Sequence, residues 1–482
     1  MEVLCREFWH ANQEGSGPLL AATISPIAPP SYLNRLDAIH RDTDAASINR
    51  DISYSLTKTA NAAIQYPNPE ITTWTEIYSA YWYAIGAILA AEHTTTRPDW
   101  TKVYEAWKDV ANTVIKGYSS GVLENWTLPV LYTAGKHLRT FAIKADENVQ
   151  ASENGTNFNV GGLQEDIAGD FGKNEKLEDA ARVINRMFTL CISDRAPLEE
   201  SRKWGLYYTT NLLFKTYFKL NSIGLSKNIL RALSASRTDM PALESFPQPH
   251  IVTFKYYVGV IRFLEEDYAQ AEENLTSAWH MCHRSATRNI ELILSYLIPT
   301  LLLTRQQLPS PRLLSPYPRL GSLFAPLTLA IRKGSLSAFD TAIAEGEHEF
   351  VKRRIYLTLE RGRDICLRNL LRKVYLAGDL DEEGKRNTRI YIKDFAAAIR
   401  LGESGGSREG MDVEMEGSAG ENNDEVECLV ANMIYKVTPF STTFAPHVLT
   451  FVRHQNLMKG YIARERGIVV LSKNGAFPGT GI

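Results

Sequence analysis

The chain has 482 residues, 44% of them hydrophobic and 22% charged, with a formal net charge of -2 at pH 7. That length buries the cores of two or three folding units, and the composition is ordinary for a globular protein. Near-neutrality excludes a globally basic nucleic-acid binder, so any basic surface must be local. The five cysteines, Cys5, Cys191, Cys282, Cys366 and Cys428, are scattered and form no CxxC pair. This points to a reducing compartment and away from a disulfide framework or zinc cluster. The start of the chain carries Glu2, Arg6 and Glu7 and lacks a signal-peptide pattern. The apolar run 292–303 contains Pro299 and is too short for ~30 Å of hydrocarbon, so no membrane is expected as a partner.

Residues 1–145 read as an N-terminal helical region. A first helix and a connection rich in proline (Pro26, Pro29, Pro30) precede two strongly patterned helices. Trp74, Ile77, Tyr78, Tyr81, Ile85, Ile88 and Leu89 make one apolar stripe, and Thr73 and Glu76 have capping-box spacing at its start. Trp100, Val103, Tyr104, Trp107, Val110, Val114 and Ile115 make the second, just after Pro98. The two predict a helical hairpin whose aromatic stripes are core rather than a ligand box. Residues 146–176 are rich in Asn, Gly, Asp and Glu and read as a loop or linker.

Helical pattern fills 177–376. Within it Gly259, Ala271, Leu275 and Ala278 keep the small, small, bulky, small spacing of a tetratricopeptide repeat (TPR), with Asp267 as an N-cap at the turn. Ala330, Gly334, Phe339 and Ala342 suggest a degenerate second unit. Over 350–375 eight basic residues meet only Glu360 and Asp364. Leu367, Leu370, Leu371 and Val374 set an apolar face, which places Arg368 and Arg372 on the opposite one, with an Asp364–Arg368 pair at i,i+4. This is either a solvated face or a basic patch feeding the domain C-terminal to it.

Residues 377–475 read as a winged-helix domain of three helices and a hairpin. A short strand at 389–392 leads into a helix at 395–401, with Asp394 at its start. The stretch 403–425 is acidic, rich in Gly and Ser, and expected to be disordered. An amphipathic helix at 424–436 comes next, then two strands, 461–463 and 468–471, around the basic tip Arg464-Glu465-Arg466-Gly467. The predicted fold class is therefore mainly α: a TPR-like helical stack followed by a C-terminal winged-helix domain.

The order of elements and several long strings carry a family resemblance. NLLFKTYFKLN (211–221), TFKYYVGVIRFLEEDY (253–268), RNLLRKV (368–374), VECLVANMIYK (426–436) and KGYIARERGIVVLSK (459–473) resemble the PCI domain shared by the proteasome lid, the COP-nine signalosome and a translation initiation factor. They are most similar to the branch holding the signalosome-associated subunit twelve and the PCI subunit of the nuclear-pore mRNA-export complex. The resemblance implies a non-catalytic subunit with a second PCI-domain protein and a small acidic, disordered proteasome-lid protein as partners. It also implies RNA or DNA binding in transcription-coupled mRNA processing or export, and a nuclear location with the cytoplasm as a further one. The alternative is a purely structural signalosome-associated subunit that binds no nucleic acid. Two stretches depart from the family pattern: the long acidic loop 403–425, and Pro439 to Asn456, which separates the last helix from the wing.

Catalytic signatures fail on spacing. The histidines include no His-x-His pair for zinc, and of His280, Cys282 and His283 only the two histidines could share a metal. Gly117-Tyr118-Ser119-Ser120-Gly121 fits G-x-S-x-G, yet it follows a helix rather than a strand. No catalytic residue, metal or cofactor is assigned. The candidate nucleic-acid residues are Arg372 and Lys373 on the supporting helix, Lys436 at the end of the last helix, Lys459 before the wing, Arg464 and Arg466 at its tip, and Lys473 after it. Such residues contact phosphate and carry little sequence preference.

Overall fold

The computed structural model describes residues 2–59, 68–94, 98–154, 174–378, 386–403, 419–435, 457–473, 475–478 and 480. The chain forms two compact units, Met1–Tyr257 and Val258–Ile482. Helices dominate both, and among the described residues strands occur only after Thr388, as the period of the hydrophobic pattern predicts.

In the first unit the two patterned segments are the helices Pro69–His93 and Trp100–Ser119, packed side by side. Trp74, Ile77, Tyr78, Tyr81, Val103, Tyr104 and Trp107 are all buried, so the aromatic stripes are core. The expected capping box at Thr73 and Glu76 is corrected. Pro69 fixes the first turn, and Asn68 caps it by accepting the Glu70 N–H at 2.8 Å. Thr73 lies inside the helix, its hydroxyl donating to the Pro69 carbonyl. Asp99 caps the second helix through the Lys102 N–H at 3.1 Å. Shorter helices, Glu2–Gln13, Gly17–Thr23, Arg35–Arg41 and Ile48–Thr59, lie N-terminal to this pair. They include the buried Arg35, whose guanidinium is held by Glu7 at 2.7 Å, the Thr23 carbonyl and the Tyr81 hydroxyl.

The loop expected at 146–176 is also corrected. The helix Leu128–Asn154 continues through 146–154, and the next, Glu175–Ile192, starts two residues ahead of the expected 177; residues 155–173 lie outside the described ones. The reason is Asp146. It is buried on the first helix, and its carboxylate accepts the Lys176 and Leu177 N–H groups at 3.0 and 2.9 Å.

In the second unit the TPR positions pack as their spacing predicts. Ala271, Leu275 and Ala278 on the helix Tyr268–Met281 are fully buried, and Asp267 caps that helix through the Gln270 N–H. Gly334 plays another part than the expected repeat position. It ends the helix Pro318–Lys333 at φ +66°, and a Cβ there would come within 2.8 Å of the Leu370 backbone. The helix Gly362–Ala377 therefore crosses closely at that glycine.

The C-terminal head has a three-stranded antiparallel sheet: β1 (Arg389–Tyr391), β2 (Gly460–Ala463) and β3 (Ile468–Leu471), in the order β1–β3–β2. Its described helices are Ile392–Glu403 and Ala419–Tyr435, with Gly362–Ala377 packing on the first of them. The three-helix arrangement expected from 377 thus takes its first helix from residues ahead of that point. The last of these helices also starts at Ala419, within the stretch expected to be disordered; 404–418 lie outside the described residues. Acidic residues ahead of an apolar-periodic stretch suit a helix N-terminus, which extends it. Ile390, Val469, Leu471, Phe395, Val430, Met458 and Phe477 form the buried core of the head.

Candidate nucleic-acid interface

Period-two alternation divides the sheet into two faces. Ile390, Ile462 and Val469 share one rung facing the core, beside Gly460 and Leu471. A Cβ on Gly460 would lie 2.5 Å from the Val470 carbonyl oxygen, so the close approach of β2 to β3 requires glycine there. The other face is solvent-facing. One of its rungs holds Arg389, Val470 and Tyr461, and the next holds Tyr391, Ile468 and Ala463. The turn between β2 and β3 is one 3-10 turn, Arg464–Arg466, closed by Gly467 at φ +60°.

The sequence-assigned cations fall in three places. Arg464 and Arg466 are exposed at the tip, but Arg464 is engaged: its Nε lies 3.6 Å from the Glu427 carboxylate on the helix Ala419–Tyr435. Lys459 and Lys473 are exposed at the opposite end of the hairpin, where the Ser472 N–H donates to the Lys459 carbonyl at 2.9 Å. The five residue steps from Lys459 to Arg464 along β2 place the two pairs roughly 16 Å apart. Lys373 is exposed on Gly362–Ala377 and donates to the Lys333 carbonyl at 2.8 Å, while the buried Nε of Arg372 has no hydrogen-bond partner among the described residues. Lys436 lies outside the described residues.

The basic stretch 350–375 is less available than its composition suggests. Arg353 pairs with Glu349 at 3.4 Å, Arg361 with Glu266 at 3.0 Å and Arg363 with Asp340 at 3.1 Å. The expected exposed face is corrected at Arg368, which is 4% exposed and hydrogen-bonds to Gln306 and Asn369. Burial, with Arg372 beside it, pushes its guanidinium down to about 10. Four-residue spacing from Arg372 does not carry Arg368 into water, because neighbouring helices cover that side of the helix.

Sequence reasoning missed Arg389, Tyr391, Lys393 and Tyr461. The tyrosines are 51% and 56% exposed, and the Lys393 ammonium sits 5.0 Å from the centre of the Tyr391 ring. A signal was present: RNTRIYIK (386–393) holds three basic residues and no acidic one. Elsewhere, the Ser119 hydroxyl donates to the Ile115 carbonyl at the end of its helix, and His283 is hydrogen-bonded to Ser285 at 2.6 Å. Among the described residues, no three His, Cys, Asp or Glu side chains are grouped to hold a metal, and no helix is long and apolar enough to cross a membrane.

No family model matches the chain. It is 50% identical over 492 aligned residues, spanning all of both chains, to the protein CSN12 homolog of Neurospora crassa. It is 30% identical to PCI domain-containing protein 2 of Xenopus laevis over 93% of this chain and 96% of that one. It is 26% identical to the enhanced ethylene response protein 5 of Arabidopsis thaliana, over 93% and 94% of the two chains.

Proposed function

We propose that this chain, which belongs to the PCI-domain family of the CSN12 homologues, works as a non-catalytic scaffold subunit of a multi-protein complex. Its helical stack carries a winged-helix head that pairs with a second PCI-domain protein and holds RNA or DNA by the phosphates. The setting is transcription-coupled mRNA processing or export, in the nucleus and also in the cytoplasm. The full-length likeness to proteins named for CSN12 and for the PCI domain carries the scaffold reading. The exposed cations of the head, Arg466, Lys459 and Lys473 above all, support the nucleic-acid part.

Partners are supported by apolar side chains left in water. Leu329, Val351 and Leu357 of the second unit are 54%, 54% and 73% exposed, which suits surfaces that another subunit covers. The basic residues over 350–375 suit the small acidic protein by complementary charge. One observation favours the reading without nucleic acid: Arg353, Arg361, Arg363 and Arg464 each already face a carboxylate.

Purification of the tagged chain from its own cells, with identification of what accompanies it, tests the scaffold role. A second PCI-domain protein and a small acidic protein should co-purify in fixed ratio, and co-expression with the latter should raise the yield and melting temperature. A chain that purifies alone and melts identically with and without those proteins contradicts it.

A further inference from the structure

We infer that the solvent-facing side of the three-stranded sheet is a stacking platform for single-stranded nucleic acid, its bases on Tyr391 and Tyr461 and its phosphates on Arg389, Lys393 and Lys459. This deepens the nucleic-acid reading above and rests on it. The sheet's register puts the two rings on one face, on the two outer strands and one rung apart. Two strand spacings and one two-residue step place them roughly 12 Å apart on the diagonal. Between them run Ile468 and Val470, both partly exposed. A single strand crossing that diagonal meets both rings with splayed bases. A duplex, whose bases stack on each other, offers them nothing to stack on.

Charge selects the occupant. Arg389 shares the rung of Tyr461, the Lys393 ammonium lies 5.0 Å from the centre of the half-exposed Tyr391 ring, and Lys459 lies two residues before Tyr461 on the same side of β2. Arg464, Arg466 and Lys473 lie at the two ends of the hairpin. Against these six cations stand Asp394, Glu465 and Glu427, the last already facing Arg464. An apolar protein surface would gain nothing from that ring of positive charge, whereas a polyanion with flat apolar bases matches both the rings and their surround. Stacking on tyrosine is also tolerant of sequence, because every base has a flat π-face.

The test uses the full-length chain and a short oligouridine RNA, with the dissociation constant followed over a range of salt. Replacing Tyr391 and Tyr461 by Ala should weaken binding by roughly five- to a hundredfold per ring and leave the salt slope unchanged. Replacing both by Phe should keep binding close to wild type, which separates stacking from a structural effect. Arg389→Glu with Lys393→Glu should instead flatten the slope. If the alanine variant binds as wild type does while charge reversal at the wing tip abolishes binding, the platform is wrong and the nucleic-acid reading stands. If the wild type binds no RNA, alone or with its PCI partner, both fall. If the alanine variant keeps RNA but loses its protein partner, the face is a protein interface and the inference is overturned.

Discussion

A Cβ built on Gly259 would lie 2.6 Å from Cγ of Leu275 and 3.2 Å from its backbone nitrogen. The two helices of the TPR-like pair thus meet with no room for a methyl group, and Leu275, fully buried, fills the space between them. Gly259→Ala gains about 0.5–1 kcal/mol in helix propensity but overpacks a site whose backbone cannot withdraw, at about 1–3 kcal/mol. The expected outcome is a melting temperature lower by a few degrees, read by calorimetry. Gly224→Ala is the control: nothing lies within 4 Å of a Cβ there, so propensity alone acts and stability should hold or rise.

Asp146 caps a helix to which it does not belong. Asn174 occupies the N-cap position of Glu175–Ile192 without a side-chain hydrogen bond, and the Asp146 carboxylate takes the N–H groups instead. Losing a cap costs about 0.5–2 kcal/mol. Asp146→Ala should therefore speed amide exchange in the first turn of Glu175–Ile192 and leave that of Trp100–Ser119, capped by Asp99, as it was. Equal protection in variant and wild type would show that the cap contributes nothing.

His137 is 8% exposed and lies against Trp107 and Phe141. Burial, aided by Lys136, pushes its imidazole down to about 4. Its ordinary value is 6.5, so below that pH the unfolded chain binds the proton more readily than the folded one. The histidine's contribution to stability is full above pH 6.5 and is lost as pH falls toward 4, by about 3 kcal/mol. Burial beside Lys215 depresses His250 too, and it acts in the same sense. His137→Leu should flatten the fall in melting temperature between pH 6.5 and 4. An unchanged pH profile would mean that His137 does not titrate with unfolding.

Much of the fold was legible because the long helices bury one continuous stripe and the strands switch to period two. Trp74 to Ile88 and Val103 to Ile115 needed no tertiary information, nor did Leu275 between Gly259 and Ala271. What was illegible depends on residues far apart in sequence. Asp146 looks like the start of a polar loop until Leu177 is brought to it. Arg368 looks solvent-facing until Gln306 covers it. Gly334 looks like a repeat position until Leu370 crosses it. The solvent-facing sheet surface exists only because β3 sits between β1 and β2, which brings Arg389 and Tyr391 into line with Tyr461. The wing-tip arginines were visible in sequence, but the Glu427 that engages Arg464 was not.

The central claim is that the head holds nucleic acid through its phosphates. The direct measurement is the affinity of the full-length chain, in complex with its PCI partner, for a single-stranded RNA across a range of salt. Replacing Arg464, Arg466 and Lys473 by Glu should weaken binding to every sequence tried. It should also reduce the salt slope by about 0.7 for each phosphate that these side chains neutralise. Arg466 and Lys473 should carry most of the effect, since Arg464 already faces Glu427. A triple variant that binds RNA with wild-type affinity and an unchanged salt slope would contradict the claim.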